Sequence, residues 1–392
     1  MSRYFPTIDN LENRTVPTVD LLFDGMGNLQ IIGQPDGDLE VNFTGIDTFN
    51  VVDGGTTITT NPIEISGSLS IRTQGPAADN IFIILDGNLL TGNLSVETES
   101  GSDSISFNED PLMNVTSGTI LGNVSLNGMS FVNIVNLGIG GNLSIREAKN
   151  FAADVVLSDS SVGSNFTLST GNESDSLEMN GTFIGSNVNI RMGNFDNGFT
   201  VDDASAIGGS VNYIGGSGQD NVQLEGIIGG NVSVRLGVSD QVFNSFILTG
   251  TIGRNLTVFG GASDDTVEIG DSAFVMGDPR TIIGGNVYIN LSHSDPLGFN
   301  SLDVFEGATI GGSSLTYIGG VGDDVVDLDG EFNRTRIYAS LGLSGIMADE
   351  FELGANLSGQ LSYLYIDFGF GPNLFTNNFG LFTFPAVLRN LP

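Results

Sequence analysis

The chain has 392 residues and contains no cysteine, no tryptophan, one histidine (His293) and one lysine (Lys149). Without cysteine it has no disulfide scaffold, no thiolate nucleophile and no cysteine zinc site. One histidine cannot build a poly-histidine metal site, and it would confine a Ser-His-Asp triad to a single position. We therefore expect none of the catalysis that depends on these side chains.

Positive charge is equally scarce. Twelve Lys and Arg residues stand against 46 Asp and Glu residues, which gives a formal net charge of −34 at pH 7. A charge of this sign repels phosphate backbones and anionic lipid headgroups. The sequence also lacks an uninterrupted apolar run of about 18 residues, the length that a spanning helix needs. We therefore expect no nucleic-acid partner and no membrane insertion.

The sequence does contain a repeat. Gly or Ser, followed by Asn or Ser, precedes an apolar-polar-apolar triplet at many places. Clear copies begin at Gly92, Gly122, Gly141, Ser186, Gly230 and Gly285, and looser copies have their second residue at Ser68, Asn165, Ser210, Asn255, Ser314, Arg336 and Gln360. The mean spacing is about 24 residues, and a constant period of this length is typical of repeat architectures.

Each period contains three short alternating apolar and polar runs separated by glycine bends, as in residues 220–224 and 265–269. This pattern indicates strands and leaves no room for a helix of about ten residues. One coil alone buries too little apolar surface to fold, so coils must stack. We predict an all-β parallel β-solenoid (β-helix), with three short strands per coil of about 22–24 residues and at least thirteen coils. An antiparallel β-sandwich is the alternative, but it rarely keeps an asparagine at such constant spacing.

The repeat divides the chain into three regions: a leader-like or assembly segment at 1–20, the β-solenoid at 21–366, and a phenylalanine-rich segment at 367–392. The last region is either a hydrophobic cap that closes the final coil or an assembly segment that docks on another copy. No polar capping helix is predicted at either end, which favours assembly. The candidate assembly residues are Phe368, Phe370, Phe375, Phe379, Phe382 and Phe384.

Acidic residues follow the repeat in alternate coils. An aspartate stands ten positions after the Asn or Ser of the motif at Asp38, Asp103, Asp175, Asp220, Asp265 and Asp324. Carboxylates stacked about 4.8 Å apart would repel by about 1 kcal/mol per pair even in water. Alternation would reduce this repulsion, and arginines at matched places in the other coils (Arg146, Arg191 and Arg235) are expected to lie between the acidic rows.

Glycine-rich turns at residues 215–222 and 319–326, and at 260–267 with one glycine fewer, lead into an aspartate that starts a strand. They resemble RTX-type calcium repeats, in which glycines let backbone carbonyls face the cation and aspartate supplies an oxygen ligand. The resemblance implies calcium ligation by Asp220, Asp265 and Asp324. The family stacks such units in tandem, whereas these copies are solitary. A structural Asx-type turn at the start of the strand is therefore the alternative.

Two further patterns concern the cell surface. Residues 11–18, Leu-Glu-Asn-Arg-Thr-Val-Pro-Thr, resemble the Leu-Glu-x-Arg-x-x-Pro segment of planctomycete-type secreted and surface β-repeat proteins. That resemblance implies export and an extracellular or cell-surface location. The repeat asparagines also form Asn-x-Ser/Thr sequons at Asn93, Asn123, Asn142, Asn165, Asn231 and Asn255. These are either glycosylation sites or, as we favour, members of an amide ladder between coils.

Together these patterns predict a non-enzymatic extracellular structural protein that assembles head-to-tail with copies of itself into a filament or surface layer. The alternative is a calcium-dependent adhesin or glycan-binding surface protein. A polysaccharide-active enzyme is a weaker reading, because basic groups for anionic sugars are few. Adjacent acids such as Asp264 and Asp265 also point to opposite faces of a strand. No cofactor is expected as a requirement, with calcium as the candidate ligand.

Overall fold

The computed structural model describes residues 19–59, 61–99, 101–108, 116–147, 151–237, 243–261, 264–273, 280–291, 298–343, 348–371, 373–380 and 384–390. These residues form 42 β-strands and no helix. The predicted all-β parallel β-solenoid is confirmed, with about twelve turns. Residues 11–18, Lys149, His293 and Phe382 lie outside the described residues.

The strands follow one another along the chain with short connections. The first fourteen are β1 (Val19–Phe23), β2 (Leu29–Gly33), β3 (Leu39–Gly45), β4 (Thr48–Asp53), β5 (Thr56–Thr57), β6 (Ile63–Glu64), β7 (Leu69–Thr73), β8 (Asn80–Ile84), β9 (Leu89–Leu90), β10 (Leu94–Glu97), β11 (Asp103–Phe107), β12 (Gly118–Ile120), β13 (Val124–Val135) and β14 (Leu137–Ile139). The next fourteen are β15 (Leu143–Glu147), β16 (Asp154–Ser158), β17 (Ser161–Val162), β18 (Phe166–Ser169), β19 (Ser176–Asn180), β20 (Phe183–Ile184), β21 (Val188–Arg191), β22 (Asn197–Val201), β23 (Ala206–Ile207), β24 (Val211–Ile214), β25 (Asp220–Leu224), β26 (Ile227–Ile228), β27 (Val232–Arg235) and β28 (Asn244–Leu248). The last fourteen are β29 (Thr251–Ile252), β30 (Leu256–Phe259), β31 (Asp265–Ile269), β32 (Ile282–Ile283), β33 (Val287–Asn290), β34 (Phe299–Val304), β35 (Thr309–Ile310), β36 (Ser314–Val321), β37 (Asp323–Leu328), β38 (Glu331–Leu343), β39 (Asp349–Leu353), β40 (Ser358–Asp367), β41 (Asn373–Asn377) and β42 (Ala386–Arg389).

The strands stack in three parallel faces, because each strand pairs with its counterparts one coil before and one coil after. Face one runs through β2, β7, β10, β13, β15 and so on to β42, and contains the strands that follow the repeat asparagine. Face two runs from β3 through β8, β11, β16 and β19 to β41. Face three consists of short strands such as β17, β20 and β23. This arrangement is the three-stranded coil that the repeat predicts.

The core is the interior of the rod. Alternate residues of every strand point inward, so Leu94 and Val96 of β10 are buried while Ser95 between them is exposed. Stacking places each apolar side chain on its counterpart in the next coil, as Phe199 lies beside Val222. Contacts also cross the interior between faces, since the ring of Phe199 on face two stacks on that of Tyr213 on face one with centroids 6.0 Å apart. One continuous apolar column therefore replaces the separate cores that individual coils cannot form.

The repeat asparagines form a ladder along the outer edge of face one. Each side-chain oxygen accepts the backbone N–H of the next member, for example Asn165 from Asn187 at 3.2 Å. The members of this outer ladder are Asn28, Ser68, Asn93, Asn123, Asn142, Asn165, Asn187, Ser210, Asn231, Asn255, Asn286 and Ser314. The predicted amide ladder is thus confirmed. A glycan on an amide nitrogen such as that of Asn165, which donates to Asn142, would break it.

The N-terminal end of the rod is closed by antiparallel strands. β1 pairs with β2 on face one, and β4 pairs with β3 on face two. On face three, Asp47 donates its backbone N–H to the carbonyl of Leu89 at 2.8 Å. The outer ladder also ends here, because the Asp24 carboxylate accepts the backbone and side-chain N–H groups of Asn28. The first coils therefore do not present an open parallel edge.

The C-terminal end is built differently. β41 and β42, which lie within the predicted cap or assembly segment at 367–392, pair in parallel with β39 and β40. That segment therefore continues faces two and one. Among the described residues, β41 and β42 have strand partners on one side only. The final edge is thus parallel and open, unlike the antiparallel edge at the N-terminal end.

The outer ladder makes a testable contribution to stability. Asn165→Ala removes an acceptor for Asn187 and a donor to Asn142, and we expect a loss of about 1 kcal/mol together with faster hydrogen exchange at the amide of Asn187. Urea unfolding and exchange mass spectrometry measure the two effects. Thr167→Ala, an exposed change in the same strand, is the control. Equal effects of the two substitutions would contradict a specific role for the ladder.

Candidate functional site

The three predicted calcium ligands lie inside the rod. The inward-facing side chains of β25, β31 and β37 start with Asp220, Asp265 and Asp324, and each of these aspartates is 0% exposed. Room for the carboxylate comes from the preceding glycine turn: a Cβ on Gly215 would lie 1.8 Å from an oxygen of Asp220. A side chain there would expel the carboxylate. The glycines are thus explained by packing, whether or not a cation binds.

Asparagines occupy the same position in the intervening coils, although the sequence pattern had pointed only to the aspartates of alternate coils. Side-chain hydrogen bonds link one member to the next, so that Asn197 donates to Asp220 at 3.1 Å and Asn244 donates to Asp265 at 2.8 Å. We call this column the interior ladder. It consists of Asp175, Asn197, Asp220, Asn244, Asp265, Asn300, Asp324 and Asp349. Alternation of carboxylate and amide is therefore a chemical requirement of the stacked interior.

The asparagine amide takes the place that a cation would occupy in a glycine turn. The side-chain nitrogen of Asn197 donates to the carbonyl oxygens of Gly193 and Phe195, at 3.2 and 2.9 Å, as well as to Asp220. Asn244 likewise donates to the carbonyl of Gly237 at 3.1 Å. The amide thus binds turn carbonyls and the Oδ1 of a carboxylate, oxygens of the kind that calcium prefers, whereas the buried Oδ2 of Asp220 has no hydrogen-bond partner among the described residues.

Tyrosine hydroxyls complete two of the carboxylate sites. Tyr213 donates to Asp220 at 2.8 Å, and Tyr317 donates to Asp324 at 3.0 Å. Both rings are fully buried. Burial and the adjacent carboxylate raise the pKa of each phenol well above its ordinary value, so both tyrosines stay protonated and act as donors. Asp324 receives a further hydrogen bond from the backbone N–H of Gly320 at 3.2 Å.

Burial also raises the pKa of the ladder carboxyls. Loss of hydration is the largest cause, and it raises the pKa of Asp265 and of Asp324 to about 6, although hydrogen bonds from Asn244 and Asn300 oppose the shift. The pKa of Asp220 is raised for the same reason. Amide donors therefore offset only part of the cost of placing these charges in the interior.

One carboxyl group lies beside another at three places in the interior. The first is Asp79, whose backbone N–H donates to Asp103 at 2.9 Å, and loss of hydration together with this neighbour raises the pKa of Asp79. Asp349 stacks on Asp324 and accepts its backbone N–H at 3.2 Å, and loss of hydration raises the pKa of Asp349 to about 7. Glu147 accepts the N–H of Gly171 at 2.6 Å and lies against Asp175. Burial raises the pKa of Glu147 to about 8. In the pairs of Asp349 with Asp324 and of Glu147 with Asp175, the raised pKa favours protonation of one carboxyl group, which reduces the repulsion that asparagine avoids elsewhere.

This arrangement bears on the chemistry that the site supports. Within the described residues there is no group of three or more His, Cys, Asp or Glu side chains arranged to hold a metal ion. Calcium binding by Asp220, Asp265 and Asp324 stays a prediction, and their amide and phenol partners suit a structural role better. The arginines do not separate the acidic rows: Arg146, Arg191 and Arg235 lie on the outside of face one, and the acids lie inside. That expectation was wrong because the turn between faces one and two puts the two columns on different sides of the sheet.

The candidate assembly residues separate into three groups. Phe368 is fully buried in the core. Phe375, Phe379 and Phe384 are partly buried and pack on the last coil, and Phe370 is 76% exposed. At the opposite end Leu22, Phe23 and Met26 are 50%, 57% and 79% exposed. Both ends therefore present apolar surface, although the sequence had indicated it for the C-terminal end alone.

Comparisons with known proteins add no name to this architecture. No family model, curated protein or solved structure matches the chain. No helix of the length and apolarity needed to cross a membrane occurs in the described part of the chain. The residues of the rod and their arrangement are therefore what indicates its function.

The interior ladder predicts a position-specific effect of charge. Asn244→Asp would place a third carboxyl between Asp220 and Asp265, and we expect a loss of about 2–4 kcal/mol at neutral pH, since an uncompensated charge would be buried. Asn221→Asp, an exposed change beside the ladder, is the control and should cost little. Urea unfolding with and without calcium measures both. An equal effect of both changes would refute the ladder, and recovery of the Asn244 variant with calcium would show that a cation can replace the amide.

The raised pKa values also predict the direction of the pH dependence. The folded chain binds these protons more tightly than the unfolded chain, so the stability they contribute is full below about pH 4 and is lost as the pH rises through 6 and 7. Asp349→Asn should flatten this decline and stabilise the chain by about 1–2 kcal/mol at pH 8. Denaturant unfolding from pH 5 to 8 tests it, with exposed Glu350→Gln as control. An unchanged slope in the Asp349 variant would contradict the assignment.

Proposed function

We propose that the chain is a non-enzymatic structural protein, a rigid β-solenoid subunit that assembles head-to-tail into a filament or surface layer. The proposal rests on the two ends of the rod. Among the described residues, each end has a strand with a free side, β1 at the start and β42 at the finish, and each end exposes apolar side chains. Exposed strand edges beside apolar patches are characteristic sites of strand addition between chains.

Charge at the two ends favours head-to-tail contact over contact between like ends. One row of outward residues on face one, which we call the arginine column, contains Arg72, Arg146, Arg191 and Arg235. It begins at Asp20, which pairs with Ile32, and ends at Asp367 and Arg389. Residues 368–392 contain no acidic residue, in a chain with 46 of them. End-on stacking would bring the Arg389 end of one copy to the Asp20 end of the next. This complementary pair is the observation that carries the proposal.

The sides of the rod are unsuited to the same contact. On face two, Glu268, Asp303, Asp327 and Glu352 stand in register on successive strands. Loss of hydration, followed by repulsion from neighbouring carboxylates, raises the pKa of Asp303 and of Asp327 to about 6. Two such faces would repel each other at short range. Association is therefore directed to the ends, which is what a filament requires.

An extracellular or cell-surface location is proposed from the resemblance of residues 11–18 to secreted β-repeat proteins. Residues 11–18 lie outside the described residues. The alternative, a calcium-dependent adhesin, would need Asp220, Asp265 and Asp324 as ligands. Their buried position and existing donors favour the structural role. Interior acids that stabilise stacking are unsuited to catalysis, which supports the non-enzymatic part of the proposal.

Charge reversal tests the proposed junction. Arg389→Glu should shorten or abolish filaments, because it places like charges at the contact, and Asp20→Arg in the same chain should restore them. Negative-stain microscopy and sedimentation of the full chain measure assembly at low salt. Arg336→Glu, an exposed change of equal charge within the rod, is the control. A wild-type chain that stays monomeric at high concentration, or equal effects of the two glutamate substitutions, would end the proposal.

A further inference from the structure

The outer surface of face one between β15 and β38 differs from the rest of this acidic protein. Its described outward side chains are hydroxyls, amides, aromatic rings, aliphatic groups and guanidinium groups, and none of them is a carboxylate. Glu331 of β38 lies in the part of that strand that pairs with β35 of face three. The outward residues are Ser144, Arg146, Thr167, Ser169, Asn189, Arg191, Asn212, Ile214, Ser233, Arg235, Thr257, Phe259, Tyr288, Asn290, Thr316, Ile318, Tyr338 and Ser340. The acidic side chains of face two lie on another side of the rod. The cross-section is therefore polarised.

Three arginines occur at a regular interval on this surface. Arg146, Arg191 and Arg235 belong to the arginine column, in which Ser169 and Ile214 occupy the intervening coils. Strands in a sheet are about 4.8 Å apart, so successive guanidinium groups recur about every 10 Å along the rod. Both neighbouring coils hold each strand in place. The spacing is thus set by the fold before any partner binds.

These guanidinium groups have no counter-ion within the described chain. Arg72, earlier in the same column, lies within 3.8 and 3.9 Å of Glu97 and Glu99, but no ion pair involves Arg146, Arg191 or Arg235 in the described ranges. Arg235 instead lies over the ring of Phe259, with its Cζ 5.4 Å from the centroid. A shallow groove follows this contact and is lined in part by Gly215, Arg235, Phe259 and Asn290. The groove leaves space beside the guanidinium group for an acidic ligand group.

Aromatic side chains extend the same surface toward the C-terminal end. Tyr288 and Tyr338 lie in the outward column that also contains Thr167, Asn189, Asn212 and Ser233. The ring centroids of Phe259 and Tyr288 are 5.8 Å apart, and those of Tyr338 and Tyr363 are also 5.8 Å apart. Such rings offer an apolar face with a polar rim to a partner that is itself part apolar and part polar. Sugar rings have this character. Serine, threonine and asparagine beside them supply donors and acceptors for hydroxyl groups.

We propose that this face-one surface binds a linear acidic polysaccharide that lies along the rod. Its carboxylates pair with Arg146, Arg191 and Arg235, and its sugar hydroxyls bind the column that contains Thr167, Asn189, Asn212 and Ser233. Charge spacing selects a glycan over a nucleic acid. Duplex DNA carries a charge about every 1.7 Å, far denser than the arginines, so the net charge of −34 repels it more strongly than it repels a sparsely charged glycan. A glycan with one carboxylate on every second sugar has sparse charges that the arginine spacing matches.

The experiment uses the full chain and hyaluronate, a linear glycan with one carboxylate on every second sugar. Calorimetry at low salt should show binding to hyaluronate that weakens as salt is added, and none to neutral dextran. Arg146→Gln, Arg191→Gln and Arg235→Gln together should weaken binding about tenfold or more, because arginine–carboxylate pairs are charge-assisted. Arg254→Gln, Arg280→Gln and Arg334→Gln remove the same charge elsewhere and should leave binding unchanged. If the triple variant folds poorly, Arg191→Gln alone takes its place and should give an intermediate loss of hyaluronate affinity.

Several results would overturn this inference. They are absence of hyaluronate binding, equal loss in the two triple variants, and binding of duplex DNA as tight as that of hyaluronate with the same dependence on Arg146, Arg191 and Arg235. The last result would identify a general polyanion surface. End-on assembly is a separate matter, since Arg389→Glu should leave hyaluronate binding intact. Failure of the filament proposal and failure of this one are therefore distinguishable.

Discussion

The constraint on which the rest of this structure depends is in-register stacking of coils. A strand of the solenoid finds its backbone partners only in the coils before and after it, so each position of the coil repeats itself along the rod. Every position therefore becomes a column in which like stacks on like. Apolar columns gain from this, and asparagine columns gain because an amide both donates and accepts. Carboxylate columns lose, because neighbours of the same charge are held about 4.8 Å apart.

The interior ladder shows how repulsion between stacked carboxylates is reduced in the buried interior, where water does not screen it. Asn197, Asn244 and Asn300 stand between acidic members of the column and donate to Asp220, Asp265 and Asp324, respectively. Buried polar groups are tolerated when their hydrogen bonds are made. Where Asp349 follows Asp324 directly, burial raises the pKa of Asp349 to about 7, and a retained proton reduces the repulsion. Amide and proton are thus two solutions to one electrostatic problem.

The same columns give the sides of the rod different chemistry. Within the described residues, the interior acids lie in a ladder between coils, face two carries a column of outward acids, and face one carries arginines without an ion pair and several aromatic rings. The ends differ from the sides, because antiparallel β1 and β4 close the start whereas parallel β41 and β42 leave the finish open. Under the proposed end-to-end assembly, the apolar ends of complementary charge would meet along the axis and would leave the polarised sides free for other partners.

The amino-acid sequence by itself determined the fold class, the parallel coil with three strands and the outer asparagine ladder, because a period of about 24 residues is visible wherever chemically similar residues recur. It also located Asp220, Asp265 and Asp324. It did not show that Asn197, Asn244 and Asn300 occupy the same column: Asn197 also follows its repeat asparagine by ten positions but is not an acid, and the connections before Asn244 and Asn300 are three and four residues longer. Nor did it place Arg146, Arg191 and Arg235 on the outside, away from the acids, or reveal the antiparallel closure by β1. Those features depend on register and on the direction in which each side chain leaves its strand. A shift of one residue exchanges interior and exterior, so only the tertiary structure decided them.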